Sequence, residues 1–309
     1  MTISAAPLHT ANLATIHATT PATPAATTSL MEQQAAQWGA HLASHPVGGW
    51  LAGMLVAMLL ALAAHGVLQV ARRHGGPLLL RHRLRDETSV AVLAMRVCAL
   101  LLVLAGAAAA VLTTLAASGR AGGAWSVFDD ALAAGFGAHA STAVLQFFAA
   151  VTHVGDSALL AVLTLVVTLT LWAARQWLLA TAWFIALAGN GLMTVVLKNL
   201  FERVRPEHTN GISQASGFSF PSGHSSASIV AYTLLAFLAT RLLPRPWHLP
   251  LALLAGALVF TTGWSRVVLQ VHYASDVLAG WLLGGTWAVC TVLIVQTLAH
   301  HRQSAPGTH

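Results

Sequence analysis

The sequence predicts an all-α fold, a polytopic membrane helical bundle, on three observations. Hydrophobic residues make up 56% of the 309 and charged residues only 8%, with a mean hydropathy of +0.71, whereas a soluble domain carries about 25% charged residues. Apolar runs of about 20 residues, the length needed to cross roughly 30 Å of hydrocarbon, recur along most of the chain. These runs are too long and continuous for barrel strands, and in lipid each backbone polar group needs an internal partner, so they form helices.

Taken in order, residues 1–45 are Ala/Thr-rich with scattered Pro and His, lack Lys and Arg, and show no periodicity; the expectation is a disordered tail. The first basic residues, Arg72 and Arg73, follow the first apolar run, so the basic start of a cleavable signal peptide is missing and no cleavage is expected. Seven spans are predicted, at about 48–71, 91–116, 157–174, 177–198, 222–242, 249–267 and 273–298. Cys98 and Cys290 fall inside apolar runs and form neither a disulfide framework nor a paired metal motif. The formal charge of +6 is scattered between the runs without a dense basic patch, which argues against nucleic acid as a partner.

Cytoplasmic loops are enriched in Lys and Arg. Arg72, Arg73, Arg81, Arg83 and Arg85, then Arg175, then Arg241 and Arg245, and finally Arg302 occupy alternate connections. The expected topology has the N-terminus outside and the C-terminus in the cytoplasm. Lys198, Arg203, Arg205 and Arg266 lie on the outer side against the rule and need another reason to be there.

Three short elements meet at that outer side. Lys198 ends the fourth span, and Arg205-Pro206 follow after six residues; these cations either snorkel at a helix end or converge on an anion, which Arg grips bidentately and Lys as a point charge. Pro221-Ser222-Gly223-His224 opens the fifth span. Ser222 reads as an N-cap and Gly223 as a point of close backbone approach, so this is either an ordinary helix start or a phosphate cradle built on free amides and the helix dipole. His224 titrates near neutrality and could donate a proton to a leaving oxygen. Ser265-Arg266, His272 and Asp276 sit at the junction of the last two spans. At positions i and i+4, His272 and Asp276 share a helical face if the last span begins early enough. The carboxylate then either makes a structural hydrogen bond or orients a nucleophilic ring. Together the elements supply what phosphoryl transfer requires: cations, amide donors, an in-line nucleophile and an acid.

These three motifs resemble the signatures of the type 2 phosphatidic acid phosphatase (PAP2) family, whose site is similar to those of bacterial acid phosphatases and vanadium haloperoxidases. The resemblance implies a six-helix core over residues 91–298; it does not account for 46–90, an extra N-terminal transmembrane helix plus a basic loop that the charge bias puts in the cytoplasm together with the 299–309 tail. It implies that His272 attacks phosphorus to give a phosphohistidine, that Asp276 orients His272, and that His224 protonates the leaving group and then activates water. Lys198, Arg205, Ser222, Gly223 and Arg266 would bind the phosphate. No metal or other cofactor is implied, and three cations leave little electrostatic need for one. The spacing of His272 and Asp276 could be read as a pair of metal ligands, but further ligands at suitable spacing are missing.

The expected partners are membrane lipids and a lipid phosphate substrate, of the undecaprenyl diphosphate, phosphatidylglycerophosphate, phosphatidic acid or lipid A type, dephosphorylated at the periplasmic face of a bacterial inner membrane. A phosphotransferase using the same phosphohistidine and a transporter remain alternatives, the latter because intramembrane charges often mark ion pathways. Among other features, Asn190 in the fourth span is expected to bond a neighbouring helix. Gly155-Asp156-Ser157 is expected to cap the third span, with a role in supporting the active-site face as the alternative, and residues 129–144 to form a short interfacial helix. The 207–220 loop is a candidate for setting substrate preference.

Overall fold

The structure is a computed structural model that describes residues 29–70, isolated positions from 99 to 117, and residues 123–207, 211–213 and 215–304. Among these residues there are helices and no strands. Six segments are long and apolar enough to cross a membrane: Pro46–Gly66, Thr142–Ala173, Trp177–Phe201, Gly223–Leu242, Arg245–Val268 and Ala274–Ala299. They match six of the seven expected spans. The remaining one, 91–116, lies outside the described residues apart from isolated positions, all of them helical.

Two boundaries differ from expectation. Within the expected disordered tail, α1 spans Leu30–Ala43 and opens with a capping box, in which Glu32 N–H donates to Ser29 Oγ at 3.2 Å and Ser29 N–H to the Glu32 carboxylate at 2.8 Å. Its buried positions are Gly39 and Ala43, so it packs through small residues and carries little apolar periodicity to read. Residues 1–28 lie outside the described residues. After α2 (Pro46–Val70) and α3 (Ala124–His139), α4 (Thr142–Val151) leads through a 3-10 turn at Thr152–Gly155 into α5 (Ser157–Ala173). The third span is thus 32 residues long. The polar His153 and Asp156 interrupt its apolar run, leaving only the second half legible.

The chain continues through α6 (Trp177–Phe201), α7 (Gly223–Leu242), a 3-10 turn at Arg245–Trp247, α8 (His248–Val268) and α9 (Ala274–Ser304). More than half of Leu55, Leu59, Val162, Leu165, Ile185 and Val195 is exposed, as befits helix faces turned to lipid. Inside, Trp183, Val230, Leu234 and Ala288 from α6, α7 and α9 form one core cluster. Asn190 does bond a neighbouring helix, accepting from Ser226 Oγ at 2.5 Å.

Close approaches fix the ends of the helices. A Cβ on Gly280 would stand 2.6 Å from Ser222 O, and one on Gly284 2.4 Å from Ser226 O, so α9 rides directly on the backbone of α7, the small-residue contact typical of membrane helices. On the other flank, a Cβ on Gly39 would meet Phe128 O at 2.9 Å and one on Gly135 would meet Ala43 Cβ at 2.5 Å, seating α1 on α3. Trp50 Nε1 donates to Thr261 Oγ1 at 3.0 Å and Trp264 Nε1 to Pro46 O at 3.1 Å, tying α2 to α8. The C-terminal ends of α6 and α8 and the N-terminal ends of α5, α7 and α9 thereby share one end of the bundle.

Candidate active site

α6 stops where Glu202 adopts a left-handed conformation (φ 47°) and its N–H closes the last turn on Lys198 O at 2.9 Å. The chain then crosses the end of the bundle. Lys198 Nζ donates to Phe218 O at 2.5 Å. Arg205 donates to the carbonyls of Ser216, Gly217 and Phe218 at 3.0, 2.9 and 3.2 Å, and to Val271 O at 2.6 Å. The positive φ of Gly217, 72°, lets these consecutive carbonyls turn toward one guanidinium. Arg266 is 5% exposed; its Nη1 donates to Thr152 Oγ1 at 2.9 Å, while Nε has no partner among the described residues. A buried guanidinium with an unpaired N–H is costly unless an anion completes it.

His272 is buried behind Arg205, whose Nη1 lies 3.2 Å from its Nε2. The other ring nitrogen, Nδ1, is 3.3 Å from Ser219 Oγ and 3.5 Å from Asp276 Oδ2, and Ser219 donates to that same Oδ2 at 2.5 Å. With the proton on Nδ1, the path runs from the ring through the Ser219 hydroxyl to Asp276, and the Nε2 lone pair faces the Arg205 donor. Burial pulls the His272 pKa down to about 3 against the opposing pull of Asp276, and Arg205 and Arg266 lower it further, so the ring is neutral at pH 7. One expectation needs correcting. α9 begins at Ala274, so His272 precedes the helix and the pair does not share a helical face. Asp276 instead folds back to accept from Tyr273 N–H at 2.9 Å.

Ser222 is the N-cap of α7 as expected, its Oγ accepting from Ser225 N–H at 3.4 Å and Ser225 Oγ at 2.9 Å. Its own amide is committed to Asp276 O at 3.0 Å, which leaves the first-turn amides of Gly223 and His224 as the helix-end donors. Gly223 is less constrained than expected, since a Cβ there would make only an ordinary contact with Thr194 Cγ2 at 3.5 Å. His224 Nε2 bonds Asp156 Oδ1 at 2.8 Å. Arg205 and Arg266 both act electrostatically on His272, and Arg266 and Lys198 on His224. Lys198 and Arg205 both bond Phe218 O, Arg205 adjoins His272, and the Ser222 amide reaches Asp276 O, so these residues lie next to one another at one end of the bundle.

Ser219, Arg203 and Asp129 were not expected among the site residues, and Asp156 only as the alternative to a helix cap. Asp156 occupies the N-cap position of α5 but makes no capping bond; its second oxygen meets His153 Nδ1 at 2.5 Å. Its carboxylate serves the two histidines, and the Gly-Asp-Ser sequence gave no means of telling this from a cap. Ser219 lies in the 207–220 loop, expected only to set substrate preference. Arg203 was visible only as a cation on the unexpected side. It donates from Nη1 to Asp276 Oδ1 and Ser275 Oγ, both at 2.7 Å, and from Nη2 to Asp129 Oδ2 at 3.0 Å. Burial opposes its charge, but Asp276 and Asp129 outweigh that and raise its pKa. Asp129 comes from α3, which is a helix as expected but begins and ends five residues earlier, and is buried at Asp129, Leu132, Ala133 and Phe136. Among the described residues no three His, Cys, Asp or Glu side chains are grouped to hold a metal.

Fold and site together define a multi-spanning helical membrane protein with a cation-lined, two-histidine centre at one end of its bundle. The chain belongs to the PAP2 superfamily, whose family model matches residues 177–299. It is 33% identical over 136 residues to phosphatidylglycerophosphatase B of Bacillus subtilis, covering 43% of this chain and 66% of that protein, just under two thirds of its length. It is 33% identical over 147 residues to a candidate undecaprenyl-diphosphatase of Escherichia coli, covering 44% of this chain and 67% of the other. The crystal structure of a transmembrane PAP2-type phosphatidylglycerolphosphate phosphatase from Bacillus subtilis is similar with a TM-score of 0.57 and 26% identity, over 65% of this chain and 98% of that one.

Proposed function

We propose that the protein is an integral-membrane lipid phosphatase that hydrolyses a phosphate monoester or diphosphate on a lipid through a phosphohistidine at His272, without a metal. The observation that carries this reading is the state of the His272 ring. Nδ1 leans on Ser219 and Asp276, while Nε2 faces the Arg205 guanidinium 3.2 Å away. A neutral imidazole so oriented presents a lone pair where a cation can hold an equatorial phosphate oxygen.

In the first step a bond forms from Nε2 to phosphorus as the bond to the lipid oxygen breaks. His224 gives that oxygen its proton. The imidazolium character created at His272 is stabilised by Asp276 through Nδ1 and Ser219. In the second step His224 takes a proton from water, whose oxygen bonds to phosphorus as the bond to Nε2 breaks, releasing inorganic phosphate and restoring both rings. Asp156 holds the His224 ring through Nε2 at 2.8 Å, which leaves Nδ1 to exchange the proton. Lys198, Arg205 and Arg266 balance the phosphoryl charge, with the first-turn amides of Gly223 and His224 as further donors.

Placement at the end of membrane helices favours a substrate whose head group meets the site while its tail stays in the leaflet. The Lys and Arg bias supports a non-cytoplasmic site, with the N-terminus outside. Relatives named for phosphatidylglycerophosphate and undecaprenyl diphosphate support both a glycerophospholipid and a polyprenyl diphosphate as candidates. Phosphate release by the purified, detergent-solubilised protein, assayed against lipid monophosphates and diphosphates, tests the reading. Release from at least one lipid that is lost in His272→Ala is expected. Transfer to a lipid acceptor with no free phosphate would instead indicate a phosphotransferase.

A further inference from the structure

Arg203 is a cation at the site that the proposed chemistry does not use. Its guanidinium is 9% exposed and lies 4.4 Å over the Tyr273 ring, and both of its Nη groups are committed to protein partners. Nη1 grips Asp276 Oδ1, the oxygen opposite the one that Ser219 and His272 face. Nη2 grips Asp129 Oδ2, and Ser275 closes the ring, receiving from Arg203 Nη1 and donating to Asp129 from both its hydroxyl and its amide. Asp129 and Asp276 are 2% and 0% exposed, so two buried carboxylates share one buried guanidinium, with both of its Nη groups and all four carboxylate oxygens engaged.

We infer that Arg203 and Asp129 are positioning residues that fix the Asp276 carboxylate against His272. The inference rests on the phosphohistidine reading above. A carboxylate bound on one oxygen alone can rotate about its last torsion. With Oδ1 held by a planar guanidinium that is itself clamped on its far side, Oδ2 keeps its direction toward Ser219 and Nδ1. Asp129 also draws part of the Arg203 charge away from Asp276, leaving that carboxylate basic enough to stabilise a positive ring at His272. Because α3 presents Asp129 and α1 seats α3 through Gly39 and Gly135, the segment ahead of the family-matched region contributes to the geometry of the nucleophile without touching substrate.

The test is steady-state phosphate release from the full-length protein in detergent for Arg203→Gln, Arg203→Lys, Asp129→Asn and the Arg203→Gln/Asp129→Asn double variant, with His272→Ala as reference. Arg203→Gln should lower kcat about a hundredfold and Asp129→Asn about tenfold, each with KM within about threefold, because the residues act on the transition state and not on substrate binding. Arg203→Lys, which keeps the charge and loses the fork, should recover part of the loss. The double variant should be no slower than Arg203→Gln, since the two residues act as one unit. If Arg203→Gln fails to fold, Arg203→Lys and Asp129→Asn carry the same readout. Wild-type kcat in the folded single variants, a rise in KM at constant kcat, or additive losses would overturn the inference while His272→Ala stays inactive. Turnover by His272→Ala would instead overturn the phosphohistidine reading.

Discussion

Replacing Gly280 with alanine should slow the proposed phosphate release by misaligning the two halves of the candidate site. A Cβ there would stand 2.6 Å from Ser222 O, 3.0 Å from Ser225 Cβ and 3.2 Å from Ser226 N, where ordinary contact begins at 3.4 Å. Two of these neighbours are backbone atoms of the cap and first turn of α7, so relief requires α7 and α9 to separate by roughly 0.8 Å. α7 carries His224 and the amide donors, while Asp276, which fixes His272, lies in the first turn of α9. A displacement of about 1 Å between reacting groups reduces rate on the order of a hundredfold, and overpacking of this kind costs about 1–3 kcal/mol in stability. Gly285→Ala is the matched control, because its Cβ meets only the flexible end of Ile229, at 3.3 Å from Cδ1. Measured as kcat for phosphate release alongside thermal unfolding in detergent, Gly280→Ala should lose at least tenfold in kcat and Gly285→Ala less than twofold. Equal kcat in wild type and a folded Gly280→Ala would refute the claim that this contact sets the site.

Three further outcomes follow from the same geometry. Asp156→Asn removes the charge bonded to His224 Nε2 at 2.8 Å and should lower kcat about ten- to a hundredfold with little change in KM, since acid–base assistance is worth about 10²–10⁴; an unchanged kcat would remove Asp156 from the account. The His272 pKa is lowered from 6.5 to about 3 by burial. Between those values the unfolded chain binds a proton that the folded protein does not, so the stability this group contributes is full above about pH 6.5 and falls on acidification, by at most about 1.4 kcal/mol per pH unit. The difference in unfolding midpoint between wild type and His272→Gln should therefore change below pH 6.5 and stay level above it. Phosphate release should also be the same with and without excess chelator, and a loss restored by added divalent cation would contradict the metal-free mechanism.

The spans were legible because lipid enforces long apolar helices, and five of them, with the second half of a sixth, lie where the hydropathy of the chain put them. The candidate site residues could be picked out because each sits in a short local pattern: Lys198 before Arg205-Pro206, Ser222 at a helix start, and His272 near Asp276. What could not be read is what sequence distance hides. Arg203 reaches Asp276 across 73 positions and Asp129 across 74, and His224 meets Asp156 across 68. A lone aspartate before a serine looks like a cap whatever its side chain finally meets. α1 escaped notice for another reason: it buries glycine and alanine, and small residues give a helix no apolar stripe.

The central claim, that His272 Nε2 becomes phosphorylated, is tested most directly by rapid quenching of the purified protein turning over a lipid substrate labelled in the departing phosphate, followed by mapping of the bound label. The account predicts a transient phosphoryl group on His272, formed and lost at rates that match turnover and absent in His272→Ala. Turnover to free phosphate with no label on the protein, or label on a residue other than His272, would contradict it.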